Sequence, residues 1–356
     1  MSQLDDSAAT KKIDSRNMYG LIWEFPSQLR HALSIARELP LPPLRTSEIR
    51  NVVVTGMGGS AIGGDLARSY LCAEFKLPFF VLRNYTLPRF VDENSLVFVS
   101  SYSGNTEETL SAYDAARKIG AKIISISSDG ELLRRCDKDK FPYLKIPPGY
   151  PPRAALGYSF VPILVLLERM GFVSGKIEEL EKTIAFLSSQ REGYGMGVST
   201  EQNPAKMIAK DLFGRLPIVY SGCEHFDAVG YRWKGQICEN SKMLCFSNVF
   251  PEFNHNELVG WETLSGLQEK KVVVLLRDQE DHPQIKRRME IVKGMIREKG
   301  VETIEVQSQG GNLLSRIFSL IQLGDFVSFY LAILNQVDPT PVKPIDYLKS
   351  KLANLA

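Results

Sequence analysis

Residues 51–65 read NVVVTGMGGSAIGGD, and residues 95–106 read SLVFVSSYSGNT. Each stretch opens on a short apolar run, closes on a loop of small residues and leads into a segment with helical periodicity. That context puts both loops at the carboxyl ends of strands in an open α/β sheet, where such folds bind ligands. Gly56, Gly58 and Gly59 let the backbone approach a ligand, and N–H groups at a following helix start attract an anion. Ser60 ends the first loop, and the second adds the hydroxyls of Ser101, Ser103 and Thr106. A hydroxyl-rich loop on a helix N-terminus suits a phosphate monoester better than a nucleotide, so the expected site binds a sugar phosphate.

Two other readings compete. Thr106 followed by Glu107 and Glu108 is a good helix start with no ligand. Gly56-x-Gly58-x-x-Ala61 also fits a dinucleotide fingerprint, which wants an acidic residue at the end of the next strand to hold a ribose. That strand, about 79–83, runs instead into Asn84-Tyr85. The fingerprint is a decoy.

Outward from the loops, strand-like runs at 52–55, 79–83, 96–100 and 122–127 alternate with helical segments at 62–72 and 107–119. Alternation of this kind marks a parallel sheet wound with helices. An apolar helix over 155–170, interrupted by Pro162, and an amphipathic one over 177–190 follow. A second series has strands at 216–221, 244–248, 272–276 and 303–307, with helices at 226–239, 284–299 and 313–336. The expected architecture is α/β, with two doubly wound α-β-α sandwich domains and mostly parallel sheets. The expected divisions are a mobile tail (1–17) and helix (18–39) within 1–45, a first domain over 46–195, a second over 196–337, and a C-terminal segment with a helix over 338–356.

The 356 residues are ample for two cores, and 44% hydrophobic with 24% charged content is that of a globular protein. A formal charge of +2 gives no reason to expect nucleic acid or an acidic membrane as partner. Cys72, Cys136, Cys223, Cys238 and Cys245 have no paired or framework spacing and read as buried thiols in a reducing compartment. The polar start is no secretory signal, and the apolar run 160–167 is far short of the roughly 20 residues that span a bilayer. The expected location is cytoplasmic.

Four more segments carry candidate chemistry: Pro151-Pro152-Arg153-Ala154, Cys238-Glu239-Asn240-Ser241-Lys242, Phe253-Asn254-His255-Asn256-Glu257, and the lysines from Lys343 to Lys349. Taken singly, Glu239 could be a solvated charge near Lys234 or Lys242. His255 could bond within its loop, Arg153 could pair with a surface carboxylate, and Lys349 could be a surface lysine. Together, GMGGSAIGGD, SYSGNTEET, PPRAALGYSF, ENSK and FNHNE, in that order, resemble the bifunctional phosphoglucose/phosphomannose isomerases. These are a branch of the phosphoglucose isomerase superfamily with sugar-isomerase (SIS) domains. The resemblance runs from about residue 18 to 352.

The resemblance implies that Gly59, Ser60, Ser101, Ser103 and Thr106 bind phosphate, that Arg153 lies beside the reacting carbons and that Glu239 is the base. It implies that His255 opens the sugar ring from the neighbouring subunit, hence a homodimer. Lys349 best matches the C-terminal lysine, with Lys343 close enough to be confused with it, and Thr340 is matched to the threonine that leaves room for a C2 epimer. The chemistry is coherent with these roles. Aldose–ketose isomerisation moves a proton between C2 and C1 through a cis-enediolate, which needs a carboxylate base, a cation for the oxyanion and a second acid/base group. No metal or redox cofactor is expected. Cys238 and the run 244–246 suggest a partly buried Glu239. The alternatives are a non-catalytic sugar-phosphate regulator and an amino-sugar or ketose phosphate isomerase on the same scaffold.

Overall fold

The computed structural model describes residues 3–263 and 266–353. Helices α1 (Ser7–Ile13), α2 (Met18–Trp23) and α3 (Phe25–Glu38) lead into β1 (Asn51–Thr55), α4 (Ile62–Leu71) and β2 (Phe79–Leu82). Next come β3 (Ser95–Ser100), α5 (Glu107–Ile119), β4 (Lys122–Ser127), α6 (Glu131–Asp139) and β5 (Tyr143–Lys145). Helices α7 (Leu156–Arg169), α8 (Lys176–Gln190) and α9 (Pro204–Leu212) carry the chain to β6 (Leu216–Gly222), α10 (Asp227–Ser241) and β7 (Phe246–Phe250). The remainder is β8 (Lys271–Arg277), α11 (Pro283–Glu298), β9 (Glu302–Gln307), α12 (Leu313–Leu334) and α13 (Lys343–Ala353).

Two parallel sheets result, with strand orders β2-β1-β3-β4-β5 and β7-β6-β8-β9. In the first, Val53 pairs with Val97 and Val97 with Ile123, and in the second Ile218 lies between Phe246 and Val273. Successive side chains on a strand face opposite ways, so each sheet has a private outer core and a shared inner one. Val53, Val97, Val99 and Ile123 pack outward with Tyr113 of α5 and Leu132 of α6. Tyr220, Val273 and Leu275 pack outward with Met289 and Val292 of α11. Val52, Val54 and Phe98 of one sheet and Val219, Val272 and Val274 of the other belong to a single continuous inner core.

That core is organised by α12. By length and composition it could cross a membrane, yet every residue from Leu314 to Ile333 is buried in protein. Gly324 lets α10 come close: a Cβ there would lie 2.4 Å from Trp233 Nε1. The same indole N–H donates to the Leu320 carbonyl at 2.8 Å. Glu239 rides on α10, so this contact helps to fix where it points.

Several expectations change. The described part of the expected tail, residues 3–17, is built into the fold: Asp6 caps α1, and Asp5 accepts from Thr200 and from the buried ammonium of Lys206. The helix expected over 18–39 is two, broken at Glu24 just before Pro26, which has no N–H to donate. Pro162 sits inside α7 without interrupting it. The strand expected over 244–248 lies two residues later, because the register of Ile218 with Phe246 and Gly222 with Phe250 fixes β7.

Candidate active site

The first small-residue loop is shaped by what its glycines touch. A Cβ on Gly56 would meet the Ser100 carbonyl at 2.7 Å, and one on Gly59 would meet the Pro152 carbonyl at 2.5 Å. The glycines thus bring the ends of β1 and β3 together and lay the loop on the turn that holds Arg153. Ser60 is buried, and its Oγ accepts from the Tyr102 N–H at 3.0 Å. The Ser101 hydroxyl donates to Thr106 Oγ1 at 3.0 Å, and the Asn105 N–H donates to Ser103 Oγ at 3.3 Å. Gly104 has φ +69° and lies so close to the Asp129 carbonyl that no side chain fits. Thr106 holds the cap position of α5, with Glu107 and Glu108 in the first turn as the helix-start reading has it, but its side chain makes no cap bond. The first-turn N–H groups of α5 are left without a capping side chain and face the loop of hydroxyls, a ready anion site.

Arg153 sits in a short turn (Pro152–Ala154) ahead of α7 and is 4% exposed. Its Nη1 lies 3.3 Å from Glu239 Oε2, and its Nε donates to Asn240 Oδ1 at 2.6 Å. Its Nη2 donates to the carbonyls of Pro339 and Thr340 at 2.7 and 2.9 Å. One guanidinium therefore ties the Gly59 loop, the end of α10 and the 339–340 segment together. Burial lowers its pKa against the opposing pull of Glu239, and an arginine remains protonated. The Glu239 side chain is 33% exposed. It is partly buried, as expected, although Leu244 and Phe246 of the run thought to enclose it are themselves exposed.

Lys242 ends α10 in a left-handed conformation (φ 55°). Its ammonium turns inward, donating to the carbonyls of Glu239 and of Pro339, the latter at 2.8 Å. Lys242 is exposed as a residue, but partial burial of its ammonium, together with the nearby Arg153 charge, lowers its pKa to about 8. A lysine with a lowered pKa carries its charge below that value and loses it above. Activity is therefore expected to fall as pH rises through about 8, because the charge that holds the Glu239 and Pro339 carbonyls beside the Arg153–Glu239 pair is lost. In Lys242→Arg, whose guanidinium stays charged, that alkaline limb should move upward. An unmoved limb in the pH–rate profile would remove Lys242 from this role.

Thr340 lies in the cluster. It is nearly buried, its carbonyl accepts from Arg153, and its Oγ1 has no hydrogen-bond partner among the described residues. His255 does not join it. This residue is exposed on the turn after β7 and lines a different cavity of about 450 Å³ with Cys223, Asp281 and His282. Lys349 is exposed on α13 with no ion pair among the described residues, and Lys343, exposed as well, begins the same helix three residues after Thr340. Ile345, Tyr347, Leu348 and Leu352 of α13 are exposed too.

Residues 201–352 match the family described as bacterial phospho-glucose isomerase C-terminal SIS domain. A bifunctional phosphoglucose/phosphomannose isomerase of Caldicellulosiruptor bescii is 45% identical over 338 residues, covering 95% of this chain and 99% of its own. The chain belongs to that family. A second member, from Aquifex aeolicus, is 37% identical and covers 85% of this chain and 90% of its own. A hypothetical protein of Thermus thermophilus has the same fold, with a TM-score of 0.76 at 14% identity, covering 98% of this chain and 93% of that one.

In this bifunctional phosphoglucose/phosphomannose isomerase family member, a layer of buried polar groups supports the Arg153–Glu239 pair, and sequence reading missed it. Asp325, in the middle of α12, accepts from Arg232 Nη2 at 2.7 Å and from Gln236 at 2.8 Å. Arg232 in turn donates to the Arg153 carbonyl at 3.1 Å. Asn240, which receives the Arg153 Nε–H, donates to Ser328 Oγ at 2.9 Å. A lone acid in an otherwise apolar helix was the available signal: such a group is retained only with a partner.

Proposed function

We propose that this chain interconverts glucose 6-phosphate and fructose 6-phosphate, and mannose 6-phosphate and fructose 6-phosphate, by proton transfer through a cis-enediolate. The observation that carries the reading is the Arg153–Glu239 pair (3.3 Å) set against the Gly59 loop. Ser60, Ser101, Ser103, Thr106 and the start of α5 hold the phosphate. Glu239 takes the proton from C2 and returns it to C1. Arg153 faces the oxyanion with a charge that needs no reorganisation, because four acceptors already fix its guanidinium. The unpartnered Thr340 hydroxyl supports a role in accepting either epimer at C2. Incubation with fructose 6-phosphate should yield both glucose and mannose 6-phosphates. Recovery of only one epimer, or of fructose 6-phosphate alone, would refute the bifunctional reading.

Ring opening needs an acid/base group that the Arg153–Glu239 cluster does not itself supply. The separation of His255 from Glu239 within one chain supports a composite site in a homodimer, with His255 given to the neighbouring subunit. The exposed apolar side chains of α13 support the same arrangement, being suited to cover by a second copy. Mixing inactive Glu239→Gln and inactive His255→Ala dimers under subunit exchange should restore activity, since a mixed dimer regains one intact site. No recovery after confirmed exchange would mean that the site is built within one chain. The five free thiols, Cys72 and Cys223 among them exposed, support a cytoplasmic setting.

A further inference from the structure

A second cavity lies where α10 crosses the face of β6 and β7. Ser221, Gly230 and Tyr231 line it from the second sheet's side, and Asp65, Arg68 and Arg83 close it from the first. Its volume is about 400 Å³, inside the range of roughly 300–1,000 Å³ typical of small-molecule sites. Asp227, also on its wall, is twelve residues from Glu239 on the same helix, which places it about 18 Å away along the axis. The cavity is therefore separate from the Arg153–Glu239 pair.

Its charges are balanced in place. Arg68 bonds Asp227, the Ser69 hydroxyl donates to Asp227 at 2.6 Å, and Arg83 bonds Asp65. Asp227 also accepts the Ala228 N–H at 2.7 Å, so the α10 N-terminus is already occupied by a carboxylate. A phosphate entering here would meet two carboxylates, and both lining arginines are already paired. A neutral ligand with adjacent hydroxyls would find donors and acceptors side by side. It would also find an aromatic face, because Tyr231 is 49% exposed with the Arg83 guanidinium 5.7 Å from its ring centroid.

Ser221 gives the independent sign of a missing ligand. It lines the cavity floor fully buried, yet its Oγ has no hydrogen-bond partner among the described residues. Buried hydroxyls are rarely left so. A Cβ on Gly230 would lie 3.0 Å from that oxygen, so any larger residue there would crowd the hydroxyl. We propose that the cavity is a second binding site for a neutral polyhydroxylated molecule, of the class of an unphosphorylated hexose or alditol, held between Tyr231, Ser221 and the Asp65–Arg83 and Asp227–Arg68 pairs.

Calorimetric titration of the full chain with mannose and with sorbitol tests this. Saturable binding is expected in the parent and in Ser103→Ala, whose change lies in the phosphate loop. Binding should weaken at least about tenfold in Tyr231→Ala and survive in Tyr231→Phe, which keeps the ring. Gly230→Ala, which crowds Ser221 Oγ, should weaken it as well and stands in if Tyr231→Ala does not fold. Absence of saturable binding by both probes, undiminished binding in Tyr231→Ala and Gly230→Ala, or loss of binding in Ser103→Ala would each overturn the proposal.

Discussion

Glu239→Gln is expected to lower turnover about 100- to 10,000-fold, the usual contribution of a positioned general base, with little change in substrate binding. The amide keeps the size of the side chain and can still sit 3.3 Å from Arg153 Nη1, but it cannot take the C2 proton. One enediolate serves both epimers, so glucose and mannose phosphate activities should fall together. Exchange of the C2 hydrogen with heavy water should stop as well. A variant that retains near-normal turnover on either sugar would strip Glu239 of its role as base.

Asp325→Ala should cost about 3–5 kcal/mol of stability, the usual penalty for leaving one member of a buried ion pair alone. Asp325 is 5% exposed, and Arg232 opposite it is equally enclosed. Burial raises the Asp325 pKa while Arg232 pulls it down, so the carboxylate depends on that one cation. Without Asp325, Arg232 keeps its bond to the Arg153 carbonyl but loses the partner that holds it in line. Urea unfolding midpoints would measure the loss. Replacing both residues, Asp325→Leu with Arg232→Met, should recover most of the stability. Equal stability of Asp325→Ala and the parent would show that the pair contributes nothing.

The strand–loop–helix grammar around Gly56 and Ser101 was readable because buried parallel strands are apolar throughout and their loops are not. Less was readable where burial is slight. The edge strand β5 has three residues and only Leu144 buried, and α6 buries only Leu132, Leu133 and Cys136 in an otherwise charged segment. The register of β7 could not be read locally, since Leu244 and Phe246 look like core yet lie exposed. At the site, Arg153, Glu239 and Thr340 were picked out one by one, and the structure brings them together. Asp325, Arg232 and Lys242 were not, because their roles arise from contacts between α10, α12 and the 339–340 segment that are distant in sequence.

Helix α12 is also the last part of the inner core to leave the ribosome. The strands of both sheets and helices α2, α8, α9 and α10 precede it in the chain, yet all four helices pack on it. A nascent chain that ends before Leu313 can pair its strands and lay α4 and α10 on them, but its helices lack the apolar rod that joins them. Domains generally fold as units, N-terminal first during synthesis. Here the faces that α2, α8, α9 and α10 turn to one another stay open until some twenty further residues, Leu314 to Ile333, have been added. A nascent chain stalled before that point carries an open apolar trough, the kind of surface that holdase chaperones bind.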